Sequence, residues 1–112
     1  MSLRDQLLTA ARAKPVVEPF DIPEWGAGPY CLRVMTGTDR HTLAQASDKG
    51  KHSFSVLLVV RTLCDQDGTR LFKDDEAGTI ESFDSVVIDR VANAAAKLNR
   101  LLKAEVDEVK NS

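Results

Sequence analysis

From Phe83 to Val109 the apolar residues return every three or four positions. They are Phe83, Val87, Val91, Ala94 and Ala95, Leu98, Leu101 and Leu102, then Val106 and Val109. This spacing predicts one amphipathic helix, because a period near 3.6 puts those side chains on a single face. Ala92, Ala94, Ala95 and Ala96 add helix propensity. Thr79 or Ser82 is placed to cap its start. Glu81 and Asp84 near the start, with Lys97, Arg100 and Lys103 later, suit the helix dipole. At ~1.5 Å per residue the element would reach about 30–40 Å, long enough for its last turns to project and serve another chain. A helix with one greasy face needs a body to cover it, so the rest of the chain must supply that cover.

The whole chain has 112 residues, the size of one domain, and residues 1–112 are read as one. With 43% hydrophobic residues and 29% charged, it should fold. Ser2 and Asp5 frame a capping box, and Leu3, Leu7, Leu8 and Ala11 share a face. A short helix over 2–14 is therefore expected, stopped by Pro15 and packed on the body rather than held out as a docking arm. A β-hairpin is expected over 16–35. Its strands are Val16–Ile22 and Tyr30–Met35, and the reversal between them carries Pro23, Gly26, Gly28 and Pro29. Pro19 and Pro23 cannot donate ladder hydrogen bonds, which marks the first strand as an edge open to a partner's strand. Thr36, Gly37, Thr38 and Asp39 signal a helix start, and residues 36–109 are read as the helical part. Phe54–Cys64 is apolar without a clear period, so its residues alone permit helix or strand. The fold class is α+β, mainly helical, with about four helices and a small antiparallel hairpin near the N-terminus.

The charges restrict the partners. Fifteen Lys and Arg against seventeen Asp and Glu leave a net charge of −2, which disfavours nucleic acid. Acids collect between Asp65 and Asp89, where eight face two bases; four bases and no acid follow from Arg90 to Lys103. The longest apolar run, Val56–Val60, is too short to span a bilayer. Cys31 and Cys64 form no C-x-x-C, and no leader sequence precedes them. Both are expected as reduced, buried thiols of a cytosolic protein.

Motifs for chemistry fail when their spacing is tested. Cys64–Phe72 reads CDQDGTRLF and looks like the opening of a calcium loop. With Gly68 at the obligatory sixth position, the first position is Leu63, which has no ligand oxygen; starting at Asp65 puts Arg70 where glycine must be. The stretch is better read as a turn after which Leu71 and Phe72 return to the core. His41 and His52 lack co-ligands, so no zinc site is expected. No nucleophile elbow, P-loop or dinucleotide fingerprint occurs. Neither an enzyme, a metal nor a cofactor is expected.

Three ordered pieces resemble the tail assembly chaperones of long-tailed bacteriophages. They are Pro23-Glu24-Trp25-Gly26 before a short strand, Leu32-Arg33-Val34-Met35-Thr36-Gly37-Thr38-Asp39-Arg40, and Leu63-Cys64-Asp65-Gln66-Asp67-Gly68-Thr69-Arg70-Leu71-Phe72. The resemblance covers roughly residues 16–102. It implies a mainly helical fold, which tips Phe54–Cys64 toward helix. It also implies a non-enzymatic protein of the host bacterial cytoplasm, of phage or prophage origin. Such a protein binds the tape measure protein, helps recruit tail tube subunits and is absent from the finished virion. A structural tail or head-completion component retained in the virion is the alternative. Self-association is compatible with either; nucleic acid and membrane are not expected partners. The candidate protein-binding residues are Trp25, Tyr30, Leu71, Phe72, Leu101 and Leu102. Trp25 is expected to be partly buried against the helices rather than to stand out as an anchor.

Overall fold

The computed structural model describes residues 2–11 and 16–101. Five α-helices and one small antiparallel sheet make up these residues, so the fold is α+β and mainly helical. In chain order the elements are α1 (Leu3–Ala11), β1 (Val17–Pro19), β2 (Cys31–Arg33), α2 (Gly37–Asp48) and α3 (Phe54–Thr62). They continue with β3 (Leu63–Cys64), α4 (Ala77–Glu81) and α5 (Ser85–Leu98). The expected hairpin is present as β1 and β2, with β1 at the edge, and β3 extends it into three strands ordered β1-β2-β3.

The ambiguous segment resolves into both types. α3 runs to Thr62, and the chain then turns extended as β3, where Leu63 and Cys64 pair with Leu32 and Cys31. Residues from 36 onward are thus not purely helical. α3 lies at the centre of the fold against α2, α4 and α5. Ser55 to Val60 and Thr62 are all buried. A helix covered on every side has no polar face, so it carries no amphipathic period. Ser53 caps its start by accepting from the Val56 N–H at 3.3 Å, and the Thr62 hydroxyl donates back to the Leu58 carbonyl at 2.7 Å.

The single long helix divides. Phe83 lies before α5, not within it, and the cap is Asp84, whose carboxylate accepts from the Val86 N–H at 2.8 Å. Thr79 and Ser82 belong instead to the end of α4, which the sequence reading did not separate. At the far end α5 stops at Leu98, about 21 Å from its start by the helical rise. Arg100 takes a left-handed conformation (φ 53°). Its N–H bonds the Lys97 carbonyl and the Leu101 N–H bonds the Ala96 carbonyl. Those two bonds define a Schellman stop. Glycine usually fills that position, and an arginine there gave no stop signal. The continuation expected through Val106 and Val109 lies outside the described residues.

α1 begins as expected, with the Ser2 hydroxyl accepting from the Asp5 N–H at 3.1 Å. Its packing is otherwise. No α1 residue is buried; Leu3 is 82% exposed and Leu7 66%. The apolar face that was expected to dock on the body is open to solvent.

Candidate functional site

The aromatic side chains gather where the hairpin loop meets the α4–α5 corner. Pro23–Trp25 forms a single 3₁₀ turn, which Pro23 favours by fixing its own φ. Gly28 (φ 76°) then lets the loop close tightly. A Cβ there would sit 2.6 Å from the Tyr30 nitrogen, so only glycine fits. The Tyr30 hydroxyl donates to the Trp25 carbonyl and closes the loop from the other side. The Trp25 ring lies 5.3 Å from Phe83 at 60°, and Phe83 meets Phe72 edge-on at 6.2 Å. These are favourable aromatic geometries. Glu24 and Arg90 tie the loop to α5 by a 2.5 Å ion pair.

The candidate binding residues therefore divide between two faces. Trp25, Tyr30 and Phe72 are half-buried and pack against the core. For Trp25 this matches the expectation of partial burial. Leu71 is 42% exposed and does not return to the core, contrary to the reading of CDQDGTRLF. Leu101 lies elsewhere, beside Arg40, Leu43 and Phe54. Leu102 is outside the described residues.

CDQDGTRLF itself forms a turn. Asp65 Oδ1 accepts from the N–H groups of Asp67 (2.8 Å) and Thr69 (3.0 Å), and Gly68 adopts φ 84°. The Asp65 carboxylate is engaged in local backbone bonds, the usual work of aspartate in a turn. Arg70 then bridges back to Cys64. Among the described residues no group of His, Cys, Asp and Glu has the arrangement to hold a metal ion.

A buried charge network was not foreseen. Asp39 sits at the start of α2 and is 6% exposed. It accepts from Arg33 Nη2 at 2.9 Å, from Arg61 Nη1 at 3.1 Å and from the Thr36 N–H at 3.0 Å. Thr36 Oγ1 accepts from the Asp39 N–H at 3.1 Å, completing a reciprocal capping box. Arg61 also reaches Asp74 at 2.5 Å, and Arg70 reaches the same carboxylate at 2.7 Å. Arg33 Nε and Arg70 Nε donate to the carbonyls of Arg61 and Val60 at the end of α3. The motif Thr36-Gly-Thr-Asp-Arg40 thus clamps β2, α2, α3 and the loop before α4. Burial pushes the Asp39 carboxyl up; the Thr36 N–H, Arg33 and Arg61 outweigh that and hold it below its ordinary value.

The cysteines are free and buried, facing one another across β2 and β3. The Cys64 thiol contacts the Cys31 carbonyl at 3.4 Å. Burial, and secondarily the neighbouring Cys31, pushes Cys64 up to about 11. A thiol so placed is a poor nucleophile at neutral pH. Iodoacetamide at pH 8 should label Cys64 at least about 100-fold more slowly in the native protein than in urea, since access requires opening of the sheet. Equal rates would show that β3 does not hold its place.

Similarity to known proteins agrees with this architecture. Residues 30–111 match the family model described as phage tail assembly chaperone. The structure of the bacteriophage HK97 tail assembly chaperone is similar, with a TM-score of 0.62 and 25% sequence identity. That similarity covers 84% of this chain and 97% of the HK97 chain. No curated protein matches. The span matched by the family model holds the Asp39 clamp, the central α3, the strands β2 and β3 and α5; β1 precedes it. The chain belongs to the phage tail assembly chaperones, whose role is non-enzymatic.

Proposed function

We propose that this protein binds the tape measure protein while a long tail is being built, keeps it soluble, helps recruit tail tube subunits, and leaves before the virion is complete. The observation that carries this reading is the likeness to the HK97 tail assembly chaperone along nearly all of that chain's length. The physical need is clear. A long helical tape measure exposes an apolar stripe until the tube encloses it, and apolar surface left in water drives aggregation. A small domain offering shallow apolar surface shields such a stripe by helix-in-groove contact. Trp25, Tyr30, Leu71 and Phe72 supply one candidate contact face, and Leu101 belongs to another. Among the described residues no helix is long and apolar enough to cross a membrane. The proposed place of action is the host bacterial cytoplasm.

Co-expression tests the proposal. With this chain present, the tape measure protein of the same phage should shift from the insoluble to the soluble fraction and co-purify. Unchanged solubility without co-purification overturns the reading. So does mass spectrometry of purified particles that finds this chain in abundance, which would make it a virion component.

A further inference from the structure

α2 covers α3 with few large side chains. Leu43 is its one buried apolar residue, and the next turn presents only the small side chain of Ala46. Beside them lies an open cleft of about 320 Å³ whose floor includes Leu57 and Val60 of α3. A cleft of a few hundred cubic ångströms takes small apolar groups. Leu43, Leu57 and Val60 are at most 9% exposed, so the apolar surface that water reaches here is chiefly Ala46 and the edge of Leu57, and covering it is favourable.

The rim of the cleft is positive. Arg61 lines it, but that charge is met by Asp39 and Asp74. His52 is held by Glu81 at 2.5 Å. Lys49 and Lys51 remain. Both are exposed, both line the cleft, and neither has an ion-pair partner among the described residues. Asp74 also lines the cleft but is engaged by Arg61 and Arg70, so among the described residues this chain of net charge −2 presents two uncommitted cations there.

We infer that this cleft seats an acidic amphipathic helix of the tape measure protein. Two apolar side chains one turn apart enter between Leu43, Ala46, Leu57 and Val60, and flanking carboxylates meet Lys49 and Lys51. The inference rests on the proposed function and adds the chemistry of the recognised segment. A helix fits because the cleft is walled by two helices and takes side chains at i and i+3 or i+4. A strand added at the β1 edge would meet Pro19, which has no N–H to donate. A second copy docking through its α1 offers a poorer match. Its α1 is apolar and exposed, but Arg4 and Asp5 cancel there, leaving no negative charge for the lysines.

Overlapping 20-residue peptides spanning the tape measure protein, titrated by fluorescence anisotropy against the full chain, test this. The tightest peptides should carry carboxylates beside an i, i+4 apolar pair, and their affinity should fall as salt rises. The double variant Lys49→Glu/Lys51→Glu should weaken them about 10-fold or more, by replacing attraction with repulsion. Ala46→Met should fill the cleft, weaken the same peptides and leave the melting temperature unchanged or raised. Peptides that bind both variants as well as the wild type overturn the cleft assignment, and so do tightest binders that are basic. Concentration-dependent self-association abolished by Ala46→Met, with no peptide bound, gives the cleft to a second copy and overturns it too. If full-length tape measure protein binds the wild type and both variants equally, the cleft assignment fails and the proposed function stands. If it does not bind the wild type, the proposed function fails as well.

Discussion

Replacing Asp39 with alanine should destabilise the domain by about 3–5 kcal/mol, because it leaves the part-buried Arg33 with no counter-charge among the described residues and Arg61 with Asp74 alone. Arg33 and Arg61 both point at this carboxylate, and each also holds other partners that fix it in place. Neither can swing freely into water to recover its solvation. The substitution also removes the acceptor of the Thr36 N–H, half of the capping box. In a domain of this size the loss corresponds to a fall of roughly 10 °C or more in melting temperature. Thr36→Ala isolates the other half of the box and should cost only about 1 kcal/mol.

The pH dependence has a definite sign. The folded-state pKa of Asp39 is lowered from an ordinary value of 3.8, so its contribution is complete above that value. It is lost as pH falls through the lower folded value, where the carboxyl takes up a proton. The stability gap between wild type and Asp39→Asn should therefore be constant near neutrality and close only below about pH 4. A gap of less than about 1 kcal/mol for Asp39→Ala, or one that closes near pH 6, would remove the clamp from the account.

That clamp illustrates what the sequence could and could not reveal. Thr36 and Asp39 are three residues apart, and their capping box is a local pattern with a local cause. Arg33 and Arg61 stand 28 residues apart, and nothing in their spacing brings them to one carboxylate. The same division applies elsewhere. The hairpin was legible from its prolines, its glycines and the alternation after Tyr30. The turn at Asp65–Gly68 was legible because the calcium ligands failed in both registers. The aromatic cluster was not legible, since Trp25 and Phe83 meet only after the hairpin folds onto the α4–α5 corner. α3 lacked a period because it is buried all round, and β3 was hidden because two residues are too short for any alternation to show. At α1 the sequence showed an apolar face correctly, and periodicity alone could not say whether a body lies against it.

Asn99 is the second residue on which stability should depend strongly, and its role arises from the end of β2. The Val34 N–H still meets the Val16 carbonyl at 2.9 Å on the β1 side, but on the other side β2 has no strand beyond Leu32, because β3 is only two residues long. Asn99, 7% exposed at the C-terminal cap of α5, supplies the missing partners. Its Oδ1 accepts from the Met35 N–H at 2.7 Å, and its Nδ2 donates to the carbonyls of Ala95 (2.9 Å) and Arg33 (3.3 Å). An amide is the side chain that can accept on one side and donate on the other. Asn99→Ala leaves a buried N–H and a carbonyl unsatisfied and should cost about 2–4 kcal/mol, at 1–3 kcal/mol for each group. Asn99→Asp makes the sharper test. At neutral pH its carboxylate could accept from Met35 but could not donate, and it would bury a charge beside two carbonyls. Burial raises a carboxyl pKa, so acid should return a proton to it and restore a donor. Its deficit relative to wild type should therefore shrink as pH is lowered from 7 toward 5, well before the Asp39 clamp begins to weaken. A deficit independent of pH across that range would mean that Asn99 fills space at the end of α5 and does not complete the backbone of β2.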